Sequence, residues 1–292
     1  MLQILNKFFR NYLLLCLAIS MFGCKRFQLT GLWLPPSINV EKRFAQSQEW
    51  NNQHSPIVIE MNADDYRFYV GSDVHIEKTT DNLTKLLDIS RNNSQNAFLM
   101  LLGDLITVRG AFDIFAPALD FNSDTQQFDI QVFTTIGNHD LLYDQWNDYA
   151  RYFGTATYSF VVKTPNEEDF FIVLDSGSGT LGKSQMQWLK SQLKERGKYR
   201  HCTVMTHTNI FRSDSWATSA GSFPLEETYE MLDLFSQNNV DLVITGHDHY
   251  YELATFGNVS YLIIDTMRDT EPNPQYLSVE VSDLMAFSAN KF

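Results

Sequence analysis

From residue 57 onward, short apolar runs alternate with segments of helical period, the pattern of an α/β fold. Strands are predicted over residues 57–61, 66–70, 97–102, 131–136, 158–162, 170–174, 203–205, 241–245 and 277–281. The stretch "AFLMLL" at 97–102 is apolar without interruption, as expected of a strand covered on both faces of its sheet. A helix is predicted from Asn82, with Leu83, Leu86 and Leu87 on one face and Asp81 as N-cap. In "QWNDYARYFG", Trp146, Tyr149, Ala150 and Phe153 follow the i, i+3, i+4, i+7 spacing, and Gly154 takes the C′ position. Two more helices are predicted over 184–196 and 225–238. The runs "YYELATF" and "VSYLIID" flank Gly257-Asn258, a two-residue hairpin turn, which adds antiparallel strands to the α/β pattern.

Before residue 57 the pattern differs. Lys7 and Arg10 precede the apolar stretch "YLLLCLAISMFG", which is shorter than the roughly 20 residues of a membrane-spanning helix. A basic start, a short apolar run and a small residue predict a secretory signal peptide over 1–23. Cys24 follows, and "MFGC" resembles the lipobox of bacterial lipoproteins, with Met21 where Leu is usual. That resemblance implies lipidation of Cys24 and an exported protein held at a membrane, periplasmic or at the cell surface; the other reading is plain secretion. Residues 24–56 read as a partly ordered tether, broken at Pro35 and Pro36 and with a faint helical period at Val40, Phe44 and Ser47, ahead of a folded domain over 57–292.

Composition fits this division. With 292 residues, 44% of them hydrophobic and 20% charged, the chain can bury one sizeable core. A formal net charge of -13 and the lack of a Lys/Arg run exclude long nucleic acid as an expected partner. Loss of residues 1–23 would remove Lys7 and Arg10 and no acid, making the remainder more acidic still. Of Cys16, Cys24 and Cys202, only Cys202 lies in the predicted domain, so no intramolecular disulfide is expected. Its setting, "HCTVMT", is that of an inert core thiol.

The chemistry-bearing residues gather at predicted strand ends. Strand 66–70 runs into "GSDVH" with Asp73 and His75, 97–102 into Asp104, and 131–136 into "GNHD" with Asn138, His139 and Asp140. Strand 203–205 runs into His207, and 241–245 into "GHDH" with His247 and His249. Ligands of open α/β sheets bind beyond the carboxyl ends of the strands, where all of these residues are placed. Five of the 7 histidines fall in these clusters, leaving His54 and His201 outside. Imidazole and carboxylate without thiolate suit Zn, Mn or Fe. The donors exceed what one ion uses, whereas two ions about 3.5–4 Å apart with a shared carboxylate accommodate them. Such centres hydrolyse phosphate esters and some amides, and spacing alone does not choose between the two.

The ordered set "SDVH … GDL … GNHD … TH … GHDH" resembles the calcineurin-like metallophosphoesterases over roughly residues 66–265. The resemblance implies a β-sandwich of two mixed sheets flanked by helices, an α/β/β/α arrangement. It implies two divalent ions (Mn, Fe or Zn), one held by Asp73, His75 and His249, the other by Asn138, His207 and His247, with Asp104 bridging both. It assigns His139 to the substrate phosphate as a general acid, and Asp140 to orienting His139. The activity implied is hydrolysis of a small phosphoric ester by a metal-activated water, with phosphodiesters somewhat favoured over monoesters. Thr107, where purple acid phosphatases place Tyr, and "GNHD" rather than "GNHE" set the chain apart from those enzymes and from protein Ser/Thr phosphatases and 5′-nucleotidases. The other reading of the same motifs is a surface lipoprotein that uses the fold for binding, with little turnover. The loop 208–223 carries Phe211, Arg212 and Trp216 beside the expected site, either to meet substrate or to pin the loop.

Overall fold

In the computed structural model, which describes residues 38–76, 79–118, 130–211 and 223–292, the apolar runs become the strands of two sheets. In chain order the elements are α1 (Val40–Gln53), β1 (Ile57–Glu60), β2 (Tyr66–Gly71), α2 (Asp81–Arg91), β3 (Asn96–Leu101), α3 (Val108–Ala118) and β4 (Gln131–Thr134). Then come α4 (Asn138–Leu142), α5 (Trp146–Tyr152), β5 (Tyr158–Lys163), β6 (Glu168–Leu174), α6 (Gly182–Leu193), a 3₁₀ turn (Arg196–Lys198) and β7 (Cys202–Thr206). The last are α7 (Leu225–Gln237), β8 (Leu242–Thr245), β9 (Glu252–Phe256), β10 (Val259–Ile263), β11 (Gln275–Val281) and β12 (Met285–Lys291). All of them lie in one unit that begins at Pro36; the signal-peptide and Cys24 expectations fall outside the described residues.

One sheet orders its strands β1-β5-β6-β7-β8-β10-β9, the other β12-β11-β2-β3-β4. Both are mixed: β6, β7, β8 and β10 run parallel while β5 and β9 oppose them, and β2, β3 and β4 run parallel while β11 opposes β2. The sheets face each other across an aromatic core. Phe98 of β3 stacks on Phe68 at 4.6 Å and meets Phe160 and Phe171 of the larger sheet edge-on, each at 5.1 Å. Offset and edge-on pairs of this kind add to the free energy of area burial. Leu189, Leu193, Met231 and Phe235 of α6 and α7 cover the outer face of the larger sheet, while Leu83, Leu86, Leu87 and Phe115 of α2 and α3 cover that of the smaller. The result is the α/β/β/α arrangement expected.

Several boundaries differ from the periodic reading. Strands β3 and β4 stop at Leu101 and Thr134; the next residues, Leu102 and Thr135, each still donate an N–H to the neighbouring strand, at 2.9 and 3.0 Å, before the chain turns. The helix expected to run to residue 196 ends at Leu193 and tightens into the separate 3₁₀ turn. Asp81 is the first helical residue, not the cap. The N–H groups of Asp81 and Asn82 are instead accepted by the Asp269 carboxylate, from far along the chain, at 3.0 and 2.9 Å. Residues 40–53 of the expected tether form α1, whose Asn39 side chain caps it and which packs on α6 and β5. Gly257 and Asn258 both have positive φ, +57° and +64°, as a two-residue hairpin turn of this type requires.

Candidate metal centre

The carboxyl ends of β2, β3 and β4 from one sheet and β7 and β8 from the other converge at one end of the sandwich. Each strand is followed at once by a turn that carries donors. Asp73, His75, Asp104, His247 and His249 all adopt left-handed backbone, with φ of 52°, 47°, 54°, 72° and 53°. A non-glycine residue in that region is destabilised by about 1–3 kcal/mol and persists only where its surroundings over-determine it. Here five such residues sit on one cluster of turns, which aims their side chains at a common space.

Two glycines allow the turns to touch. Gly103, at φ +85°, lies so close to the next turn that a Cβ would sit 2.5 Å from the Gly137 nitrogen. A Cβ on Gly137 would lie 2.1 Å from Asp104 Oδ1, so only glycine lets Asp104 rest against the "GNHD" turn. The freedom needed at Gly137 is therefore space, since its own φ is an ordinary -98°.

Asp73 is wholly buried. Its Oδ2 accepts from Ser72 Oγ at 2.5 Å and from the His247 N–H at 2.9 Å; its Oδ1 lies 3.1 Å from His249 Nε2 and 3.9 Å from His75 Nε2. Burial acts to raise its pKa, but the His249 contact and the charges of His207, His249 and His75 outweigh it and hold Asp73 well below the ordinary carboxylate range. Asp104 points both ways: Oδ2 is 3.6 Å from His75 Nε2, and Oδ1 is 3.5 Å from His207 Nε2.

On the far side of Asp104, His207 is fixed by an Nδ1–H bond to the Leu102 carbonyl at 2.6 Å. In its neutral form the ring therefore turns the lone pair of Nε2 toward Asn138 Oδ1 at 2.9 Å and His247 Nδ1 at 3.2 Å. Lone pairs converge there, and burial is outweighed by Asp104 and Asp73 in raising the His207 pKa: the cluster attracts positive charge. On the near side, His75 Nε2 is buried with no hydrogen-bond partner between two carboxylates. A divalent cation satisfies both features, and the donor atoms within each of the groups Asp73/His75/His249, His75/Asp104/His139 and Asp104/His207/His247 lie within 4.8 Å of one another. The residues present thus fit metal ions of the borderline class that imidazole and carboxylate prefer.

All the residues singled out at the strand ends meet here, with one change of role. The Asp140 carboxylate bonds to backbone and not to the His139 Nδ1. Its Oδ2 accepts the N–H groups of Asp104 (3.0 Å) and Gly137 (2.9 Å), and its Oδ1 accepts that of Ile106 (2.9 Å). Asp140 is a clamp between two loop backbones, and His139 is held through its own backbone, whose N–H donates to Asp104 Oδ1 at 2.8 Å. The His139 Nδ1 is buried without a partner and its Nε2 lies 3.8 Å from Asp104 Oδ2; burial lowers its pKa. Burial and the Asp104 charge push the Asp140 carboxyl up to about 7.

Sequence patterns did not point to three further supports. Gln145 accepts the Val108 N–H at 2.9 Å and donates to the Ile106 carbonyl, Thr266 Oγ1 donates to the Asp73 carbonyl at 2.7 Å, and Ser72 braces Asp73. Gln145 and Thr266 act across long sequence separations, so no local motif marks them, whereas Ser72 adjoins Asp73 and is marked only by the turn that brings its hydroxyl onto the carboxylate. Phe211 packs on Tyr261 and Phe256, at 5.1 and 5.5 Å, and pins its end of the loop; Arg212 and Trp216 lie outside the described residues. Cys202 is a buried free thiol whose pKa burial pushes up to about 12.

Comparisons with known proteins agree with this geometry. The family model described as calcineurin-like phosphoesterase matches residues 66–251. Among solved structures, GAP50, the anchor in the inner membrane complex of Plasmodium, is similar with a TM-score of 0.57 and 15% identity, over 78% of this chain and 84% of that one. The purple acid phosphatase PPD1 from yellow lupin (Lupinus luteus) is similar with a TM-score of 0.58 and 13% identity, over 79% of this chain and 52% of that one. No curated protein sequence matches. At such identities these structures establish the shared sandwich alone. The family match spans every strand end that carries a donor, and by it the chain belongs to the calcineurin-like phosphoesterases, a family of metal-dependent phosphoric ester hydrolases.

Proposed function

We propose that this protein hydrolyses small phosphoric esters at a centre of two divalent ions. Asp73, His75 and His249 would hold one, Asn138, His207 and His247 the other, and Asp104 both. The observation that carries this reading is Asp104, with one carboxylate oxygen 3.6 Å from His75 and the other 3.5 Å from His207. Bound ions of this kind activate water near neutral pH and offset charge on a phosphoryl group. The chain's own residues do the rest. His139 stands at the edge of the cluster, 13% exposed at its side chain, where its ring meets a phosphate oxygen and protonates the departing alkoxide. Its N–H bond to Asp104 sets its position relative to the donors. The positive charge of the loaded site draws an anion although the whole chain is acidic.

Phosphodiesters are the favoured substrate class, and the basic, apolar start ending at Cys24 supports action outside the cytoplasm from a lipid anchor. A second reading, a surface protein that binds with this fold and turns over little, draws on GAP50, whose fold is similar and which is an anchor. The complete donor set favours hydrolysis. A panel of phosphomonoesters, diesters and lipid phosphodiesters, assayed with Mn, Zn and Fe in turn, separates these readings. Turnover of diesters that is lost on chelation and restored by a metal is expected. Metal binding without turnover of any ester would establish the second reading, and hydrolysis unaffected by exhaustive chelation would refute metal catalysis.

A further inference from the structure

The most deeply buried cation of the described residues lies outside the donor cluster. Arg43, in α1, is 0% exposed. Its Nε donates to Asp175 Oδ2 at 2.7 Å, Nη2 to Asp175 Oδ1 at 3.1 Å and to Ser178 Oγ at 2.9 Å, and Nη1 to the Ile38 carbonyl at 2.9 Å. A guanidinium is suited to this fork, since it grips both carboxylate oxygens in one plane. The Asp175 carboxylate, itself buried, also accepts the Gly177 N–H at 3.2 Å. Arg43 and Asp175 together thus hold the turn that follows β6.

That turn is wedged between two donor-bearing loops. Ser176 Oγ accepts the Thr206 hydroxyl and the Thr208 N–H, each at 2.7 Å, and its carbonyl accepts the Thr208 hydroxyl at 2.8 Å. Ser176 therefore grips both sides of His207. Gly177 lies against the loop that carries Asn138: a Cβ there would be 3.0 Å from the Gly137 carbonyl oxygen and 3.1 Å from that of Ile136.

We infer that Arg43 is a positioning residue, which acts from α1 through the 175–178 turn to set the spacing of Asn138 and His207. What those two donors hold rests on the function proposed above; that they are held by Arg43 does not. The helix formed by part of the expected tether is then a working part of the centre.

Arg43→Lys in the full chain is the test, because lysine keeps the charge but cannot span both carboxylate oxygens and Ser178. The first measurement is hydrogen exchange in chelator-treated protein, which needs no bound metal. Faster exchange over 136–140 and 206–209, with 275–291 unchanged, is expected. The second is a calorimetric Mn²⁺ titration, with one binding step weakened about 10–100-fold, the usual loss when a metal ligand's support is removed. Unchanged exchange at both loops, or the same acceleration everywhere, would overturn the inference, as would parental Mn²⁺ affinity at both steps. If the parent chain binds no Mn²⁺, Zn²⁺ and Fe²⁺ take its place in the titration; if it binds none of them, the metal reading fails and exchange alone decides the role of Arg43. If Arg43→Lys does not fold, Arg43→Met combined with Asp175→Leu takes its place. That pair leaves no stranded buried charge, and the same outcomes apply to it.

Discussion

Neighbouring residues of "GNHD" do different work, and substitution separates them. His139 has its ring beside the donors and only its N–H bonded to Asp104. His139→Ala is expected to keep metal content by elemental analysis while kcat falls about 10²–10⁴-fold, the range of a lost general acid. Asp140 gives the opposite result. Asp140→Asn places an amide N–H against backbone donors that now point at a carboxylate, leaving at least one buried N–H unpaired. The cost is about 1–3 kcal/mol. Thermal unfolding should register it, and metal content should fall together with activity. The cluster was legible from residue type and strand-end position; its division into metal donors and an acid came from the family resemblance. The role of Asp140 was not legible, because its three partners are backbone groups whose approach depends on Gly103 and Gly137 coming into contact.

At the scale of elements, what could be read was whatever announced itself by period. Strand β3 and helices α5 and α7 follow from runs and spacings within one segment. Helix α3 carries the same kind of signal, Val108, Ala111 and Phe115 buried at helical spacing, but Gly110 and Pro117 interrupt its helical character. Strand β12, "MAFSANK", has an exposed outer face and small residues; its pairing with β11 from Met285↔Val281 to Lys291↔Gln275 makes it a strand. The cap of α2 was out of reach for a related reason. Asp269 comes from 188 residues further on and supplies what the local sequence lacks. Asp269→Ala should therefore lower stability by about 0.5–2 kcal/mol, the worth of a lost N-cap, measured as a shift of the denaturant midpoint.

Across the whole molecule, the pole opposite the donors has a titration of its own. His201 precedes β7, with Nε2 2.9 Å from the Ser282 carbonyl beyond β11 of the other sheet and Nδ1 4.0 Å from the Asp241 carboxylate before β8. The Asp241 carboxylate raises the His201 pKa against the effect of burial. A group whose pKa is raised on folding contributes stability below its unfolded value, about 6.5, and loses it as pH rises through the folded value. The Tm difference between the parent and His201→Gln should therefore be widest near pH ~6 and close on the alkaline side. A gap that widens with pH would contradict this assignment.

The five donor turns are spread from Asp73 to His249, and strands from both sheets deliver them. Their separation also orders events during synthesis. The last two histidines follow β8, so a growing chain cannot complete the centre until most of it has emerged and both sheets have packed. Contacts this distant in sequence form late and slowly. Metal uptake would then report finished folding, and a chain stalled before residue 246 would lack His247 and His249 however well its first strands had paired.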